Sequence, residues 1–281
     1  MRRRYVGMAA LLTLLLVGGL VAVQLRKGTD VTVRFLDVGQ GDATLISHGR
    51  NQLLIDGGPG DTLVQRLDHA MPLGDRVIEY AVLSHPHADH YRGLCLLGSR
   101  FTIKRLYITT RTTDNAEYSK CIELLAKTAE ITIISGAQTI GEDALRMQIL
   151  YPTQPLTAEA YRDANNASIV ALYSYGSTRI LFPGDAEAEE ERQLLASPLR
   201  ADILKVPHHG SATSSTPEFL ETVRPRFCAI SLGAHNRYHH PSPKTVHALE
   251  GQGCQVRRTD QNGTITVRLR PDGYTVETEH H

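Results

Sequence analysis

The sequence predicts an α/β fold in which two sheets lie between layers of helices. Three observations carry this reading. Short apolar or alternating segments of strand length interleave with helix-length segments from residue 29 to the end. Turn-forming residues separate them, as at Asp56-Gly57-Gly58 and Tyr175-Gly176-Ser177. The pattern also runs through both halves of the chain. With 281 residues, 41% of them hydrophobic and 21% charged, the chain can bury a sizeable core unaided.

The elements follow in order. Residues 1–4 form a basic cluster and residues 5–25 an uncharged, mostly apolar run, long enough for the roughly 20 helical residues that span a bilayer. Arg2, Arg3 and Arg4 before it, against only Arg26 and Lys27 after it, favour an inside amino terminus. The reading is a signal anchor at 1–28 and one domain at 29–281, in the cell membrane with the domain outside. Secretion after cleavage is the alternative. Alternating residues 31–36 read as a strand, with 43–47 and 52–55 as antiparallel partners. A helix over 62–70 and a buried strand over 77–84 come next, then a helix over 117–129 and strands over 131–135 and 145–151. The second half gives a hairpin of 168–175 with 179–182, a helix over 186–196 and a buried strand over 202–206. It closes with helices over 217–223 and 243–252, a strand over 227–231 and strands over 264–270 and 274–279.

Charge excludes one class of function driven by a global field. Thirty basic and thirty acidic residues cancel, so contact with DNA or RNA would rest on local segments. Arg100, Lys104, Arg105 and Arg111 form one such segment, Arg257, Arg258, Arg268 and Arg270 another; both also read as solvated faces. The four cysteines, Cys95, Cys121, Cys228 and Cys254, contain no CxxC pair and fit either buried thiols or two bridges.

The chemistry concentrates in Ser84-His85-Pro86-His87-Ala88-Asp89-His90, an HxHxDH run directly after an apolar strand. Imidazole and carboxylate are the ligands that zinc and related ions take. His85 and His87 suit a first ion, Asp89 and His90 a second. Asp185, in Pro183-Gly184-Asp185, can bridge the two, or cap the helix that follows. Two ions about 3.5–4 Å apart share a hydroxide and clamp a phosphoryl or carbonyl oxygen. The second ion takes His208 or His209. Asp56 reads as the partner of a metal-bound imidazole's other nitrogen. Asp37, Gln40 and Asp42 do similar work or shape the turn around Gly39 and Gly41.

These motifs, with Phe35-Leu36-Asp37-Val38-Gly39-Gln40-Gly41-Asp42-Ala43, Phe182-Pro183-Gly184-Asp185, Val206-Pro207-His208-His209-Gly210-Ser211 and Asn236-Arg237-Tyr238-His239-His240-Pro241, resemble the metallo-β-lactamase fold superfamily. The similarity is to its competence-type branch, the extracellular domain of late-competence DNA-uptake channel proteins, over about residues 30–280. It implies a four-layer αββα sandwich and a hydrolase with two divalent ions, zinc or manganese. In the family's His-x-Gly-Ser pattern the first histidine is the ligand, which selects His208. Asp89 and His240 are then the catalytic residues, with His240 facing substrate and Asn236 and Tyr238 helping to bind it. Where the superfamily has a third histidine for the first ion, this chain has Asn165-Asn166, which weakens that site or favours manganese. The expected function is phosphodiester hydrolysis, with a nuclease included. Alternatives are another ester hydrolase, such as a phosphorylcholine esterase or lactonase, and a non-catalytic metal-binding module. No protein partner is indicated.

Overall fold

Alternation in Val31-Thr32-Val33-Arg34-Phe35 buries Val31, Val33 and Phe35 on one face of strand β1 (Val31–Phe35), which opens the first sheet. The computed structural model describes residues 30–157 and 164–280, so the expected anchor at 1–28 lies outside the described residues. Among those described, no helix is long and apolar enough to cross a membrane. β1 pairs antiparallel with β2 (Thr44–His48), which pairs with β3 (Asn51–Ile55). The sheet then turns parallel through β4 (Val77–Val82), β5 (Thr102–Ile108) and β6 (Glu130–Ile133).

The second sheet takes the middle of the chain: β7 (Gln138–Ile140), β8 (Met147–Tyr151), β9 (Val170–Tyr175), β10 (Thr178–Phe182), β11 (Ile203–Lys205), β12 (Phe227–Ile230) and β13 (Gln255–Arg258). Its order is β13-β12-β11-β10-β9-β8-β7. The last two strands, β14 (Ile265–Arg270) and β15 (Gly273–Thr278), return to the first sheet, whose order is β15-β14-β1-β2-β3-β4-β5-β6.

Three apolar layers hold the sandwich together. Phe35, Ile46 and Val82 of the first sheet face Ile149, Tyr173 and Phe182 of the second. The outer face of the first sheet, with Leu45, Leu54 and Leu106, carries α1 (Thr62–Ala70), α2 (Ala88–Leu96) and α3 (Ala116–Leu125) through Leu67, Leu94 and Ile122. Leu172, Leu204 and Ile230 of the second sheet pack beneath α4 (Ala188–Leu194), α5 (Pro217–Val223) and α6 (Pro243–Gly251) through Leu194, Phe219 and Leu249. This is an α/β sandwich of two sheets covered by helices on both outer faces, the architecture expected from the sequence.

Strands β5, β7 and β13 were not among the sequence-predicted elements, because charge hid two of them. In β5, Lys104 and Arg105 point to the surface while Ile103 and Leu106 are buried. The basic segments are solvated faces with acidic partners: Arg100 meets Asp68, Lys104 Glu79, Arg105 Glu130, Arg258 Asp260 and Arg268 Glu277.

The cysteines form two bridges, Cys95–Cys121 between α2 and α3 and Cys228–Cys254 from β12 to the residue before β13. Each closes 26 residues of chain. Removing one such link by a Cys228→Ser/Cys254→Ser replacement is expected to lower stability by about 3–4 kcal/mol. Urea unfolding checks this, and an unmoved midpoint would show the bridge to be neutral.

Candidate metal centre

The loops that follow β4, β10 and β11 meet at one edge of the sandwich and bring the chemistry-bearing residues together. His85 and His90 come from the first sheet's loop and the start of α2, Asp185 from the loop after β10, and His209 from the turn after β11. All four are buried. One oxygen of Asp185, Oδ2, lies 3.3 Å from His90 Nε2, 3.5 Å from His209 Nε2 and 3.9 Å from His85 Nε2. Asp89 Oδ2 is 3.3 Å from His209 Nε2.

Each imidazole is held through its other nitrogen. His90 Nδ1 is 2.9 Å from Asp56 Oδ2, His209 Nδ1 is 2.8 Å from the Ser231 carbonyl, and His85 Nδ1 is 3.0 Å from Ser84 Oγ. The three Nε2 atoms are buried, without hydrogen bonds, and all lie near Asp185 Oδ2. Three such nitrogens around one carboxylate oxygen is the donor set of a divalent ion. The His90 and His209 separations from that oxygen, 3.3 and 3.5 Å, are close to the edge of a tetrahedron with bonds of about 2.0–2.1 Å, which is about 3.3–3.4 Å, while that of His85, 3.9 Å, is longer. Among the overlapping groups of donors at this edge are His85/His90/Asp185 and Asp89/His90/His209, which meet at His90.

Asp56 faces the second nitrogen of His90. Its backbone takes a left-handed φ of 58°, and its carboxylate accepts from Ser84 N at 2.7 Å and Ser84 Oγ at 2.8 Å as well as facing His90. Asp42 is buried nearby, with Oδ1 3.5 Å from His209 Nδ1. Its loop crosses the start of α2 so closely that a side chain at Gly41 would collide with the Asp89 carbonyl. Asp37 instead faces outward to Arg66, 2.9 Å away, and is turn and surface chemistry.

The structure places the adjacent histidines differently. His209 enters the cluster and is 2% exposed, whereas His208 Nδ1 turns to Glu187 Oε1 at 3.0 Å. Both residues have left-handed backbones, φ 48° and 52°, so consecutive side chains leave the turn in different directions. His87 lines the cavity beside the cluster, its ring 4.8 Å from that of His85, and joins neither ligand group. Nor is Asp185 a helix cap: α4 starts later, with Glu187 at its N-cap. Asn165 donates to Glu187 Oε1 at 3.1 Å, and Asn166 faces the Glu190 carboxylate at 2.9 Å.

Above the cluster, Gln40, His87, Asp89, His208, Tyr238 and His240 line a cavity of about 270 Å³. Tyr238 stacks on His240 with ring centres 5.8 Å apart. Asn236 holds the His240 backbone from both sides, accepting from its N–H at 2.9 Å and donating to its carbonyl at 2.7 Å, so it positions His240. Four residues that sequence reasoning missed belong to this edge. Ser84 links Asp56 to two histidines, Ser168 Oγ accepts from Asp185 N at 3.0 Å, Glu187 gathers Asn165, Thr213 and His208, and Lys205 is buried beside Asp42. A lysine inside an otherwise apolar strand was the one available signal among them.

The family model for the metallo-beta-lactamase superfamily matches residues 36–235. The chain belongs to that superfamily. Its relatives are of the competence type: it is 30% identical over 261 residues to ComE operon protein 3 of Bacillus subtilis, covering 85% of this chain and 33% of that protein. It is 26% identical over 256 residues to Competence protein ComA of Neisseria gonorrhoeae, covering 87% and 33%. The chain thus spans about a third of the length of the curated relatives it matches. Among solved structures, Zn(2+)-bound PqqB of Methylobacterium extorquens shares the fold, with TM-score 0.57 and 14% identity over 85% of this chain and 100% of that one.

The carboxylates and imidazoles of the cluster shift one another's proton affinities. Burial alone would lower the pKa of His90, but Asp185 and Asp56 override it and hold it well above the usual imidazole value. His209 is likewise pushed up to about 10 against its burial by Asp185 and Asp42. Burial would raise Asp185, yet His90 and His209 keep it well below the ordinary carboxylate range. Since a metal takes only neutral imidazole, loading must displace the protons on His90 and His209. Affinity is therefore expected to rise with pH up to about pH 10, where His209 gives up its proton. Calorimetry in buffers of differing ionisation enthalpy should read the released protons, and a buffer-independent heat would refute this.

Proposed function

We propose that the chain is a metal-dependent phosphodiester hydrolase, using two divalent ions, zinc or manganese, on the outer side of the cell membrane. The observation that carries this is the convergence of three orphaned imidazole nitrogens on Asp185 Oδ2 beneath a small polar cavity. When bound, such ions polarise a phosphoryl oxygen and lower the pKa of water. His85, His90 and Asp185 would hold one ion, and Asp89 and His209, beside His90, would serve the other.

The remaining residues bind and orient. Gln40 lines the cavity; its amide oxygen accepts from Gly233 N at 3.2 Å and its Nε2 is buried without a hydrogen bond. Burial, reinforced by His208 and His209, pushes the His240 pKa below its usual value, so its neutral ring donates from one nitrogen at pH 7. DNA or RNA as the diester draws support from the competence relatives, and an extracytoplasmic site from the two disulfides and the apolar run at residues 5–25.

The test is hydrolysis of bis(p-nitrophenyl) phosphate by detergent-solubilised full chain, stripped of metal and reloaded with manganese or zinc. Metal-dependent turnover supports the reading and leads on to DNA and RNA. Turnover only of carboxylic esters or lactones would favour another hydrolase of this fold. No turnover by folded, metal-loaded protein would favour a binding module.

A further inference from the structure

Lys205 ends strand β11 and is 3% exposed, the one buried lysine among the described residues. Its ammonium does not reach solvent. It pairs with Asp42 Oδ2, stands 3.8 Å from Asp185 Oδ1 and 3.5 Å from the Gly184 carbonyl. A buried ammonium is unfavourable unless it is paired, and here its surroundings are an acidic pair and a carbonyl.

The two oxygens of Asp185 therefore have different partners. Oδ2 takes all three imidazoles, while Oδ1 carries no hydrogen bond and faces Lys205. Rotation of the carboxylate would exchange them. Asp42, Asp185 and His209 also bring ligand atoms within 4.8 Å of one another, a third grouping able to draw a cation. The lysine ammonium stands between the two carboxylates of that group.

We propose that Lys205 is a positioning residue that fixes Asp185 with Oδ2 toward the histidines and, as a built-in cation, closes the Asp42–Asp185 niche to metal. The inference rests on the metal reading of the cluster. It limits the centre to the side of Asp185 that faces the cavity, where substrate can reach it. Lys205 does not touch substrate in this role; it acts through Asp185.

Manganese binding by the full chain tests it, read as free Mn²⁺ by electron paramagnetic resonance and as bound metal by elemental analysis. Lys205→Met, unbranched and uncharged, is expected to weaken the tightest manganese site at least tenfold. Because that change strands Asp42 in the interior, Lys205→Met/Asp42→Asn removes both charges of the pair and relieves the folding penalty. If Lys205 positions Asp185, the double variant stays at least tenfold weaker than the parent. If it binds manganese as the parent does, Lys205 only neutralises Asp42 and the proposal falls. The unaltered chain supplies a test that needs no variant: anomalous scattering from manganese-loaded crystals should place metal beside Asp185 Oδ2 and none between Asp42 and Asp185. Metal in that niche would overturn the role of Lys205 alone. A parent chain that binds no manganese or zinc would overturn the metal reading itself, and this proposal with it.

Discussion

An Asp185→Asn replacement should reduce metal-dependent hydrolysis by roughly 10³-fold or more, because it removes the one charge that all three imidazoles share. Asp185 Oδ2 lies within 3.3–3.9 Å of His90, His209 and His85, so no neighbouring carboxylate occupies an equivalent place. Asn keeps the shape and one oxygen but contributes no charge, and its NH₂ can turn toward the histidines. The metal-free protein also loses the anion that holds protons on His90 and His209. Steady-state rates on bis(p-nitrophenyl) phosphate, with circular dichroism as a check on folding, decide the matter. A rate within threefold of the parent would remove Asp185 from the centre of the mechanism.

The second large effect separates neighbouring histidines. His209→Ala is expected to lower metal affinity at least about 100-fold and to abolish turnover, since it deletes a buried Nε2 between Asp89 and Asp185. His208→Ala is expected to change affinity by less than about threefold and turnover by about tenfold or less. Its ring pairs with Glu187 and lies 5.6 Å from the His240 ring, so its loss disturbs the cavity wall without taking a ligand from the cluster. Equal losses in both variants, or the reverse order, would contradict the geometry.

The choice between these histidines marks how far sequence reading reached. The HxHxDH run and the Pro-Gly-Asp turn were legible because ligand chemistry and spacing lie along the chain itself. The direction of a side chain in a turn with two left-handed residues is set by backbone angles that the residue types do not specify. Asp56 was legible as an orienting carboxylate, but Ser84, which joins it to His85 and His90, reads in one dimension as the end of a strand. Asn236, expected to bind substrate, instead spends its amide on the His240 backbone four residues away. The sandwich was visible from alternation. Strand β5 was not, because its two adjacent basic residues, Lys104 and Arg105, mask the apolar positions on either side.

The donor set is divided between the two halves of the molecule. His85, Asp89 and His90 hang from the first sheet, Asp185 and His209 from the second. A chain with only its first half folded offers two imidazoles and a carboxylate without the oxygen that gathers them. Metal capture therefore reports that the two sheets have docked, and binding energy gained there is gained by the interface between them. Chelators should act on this protein as agents that loosen the seam between its halves, and loading should be among the last events of its maturation.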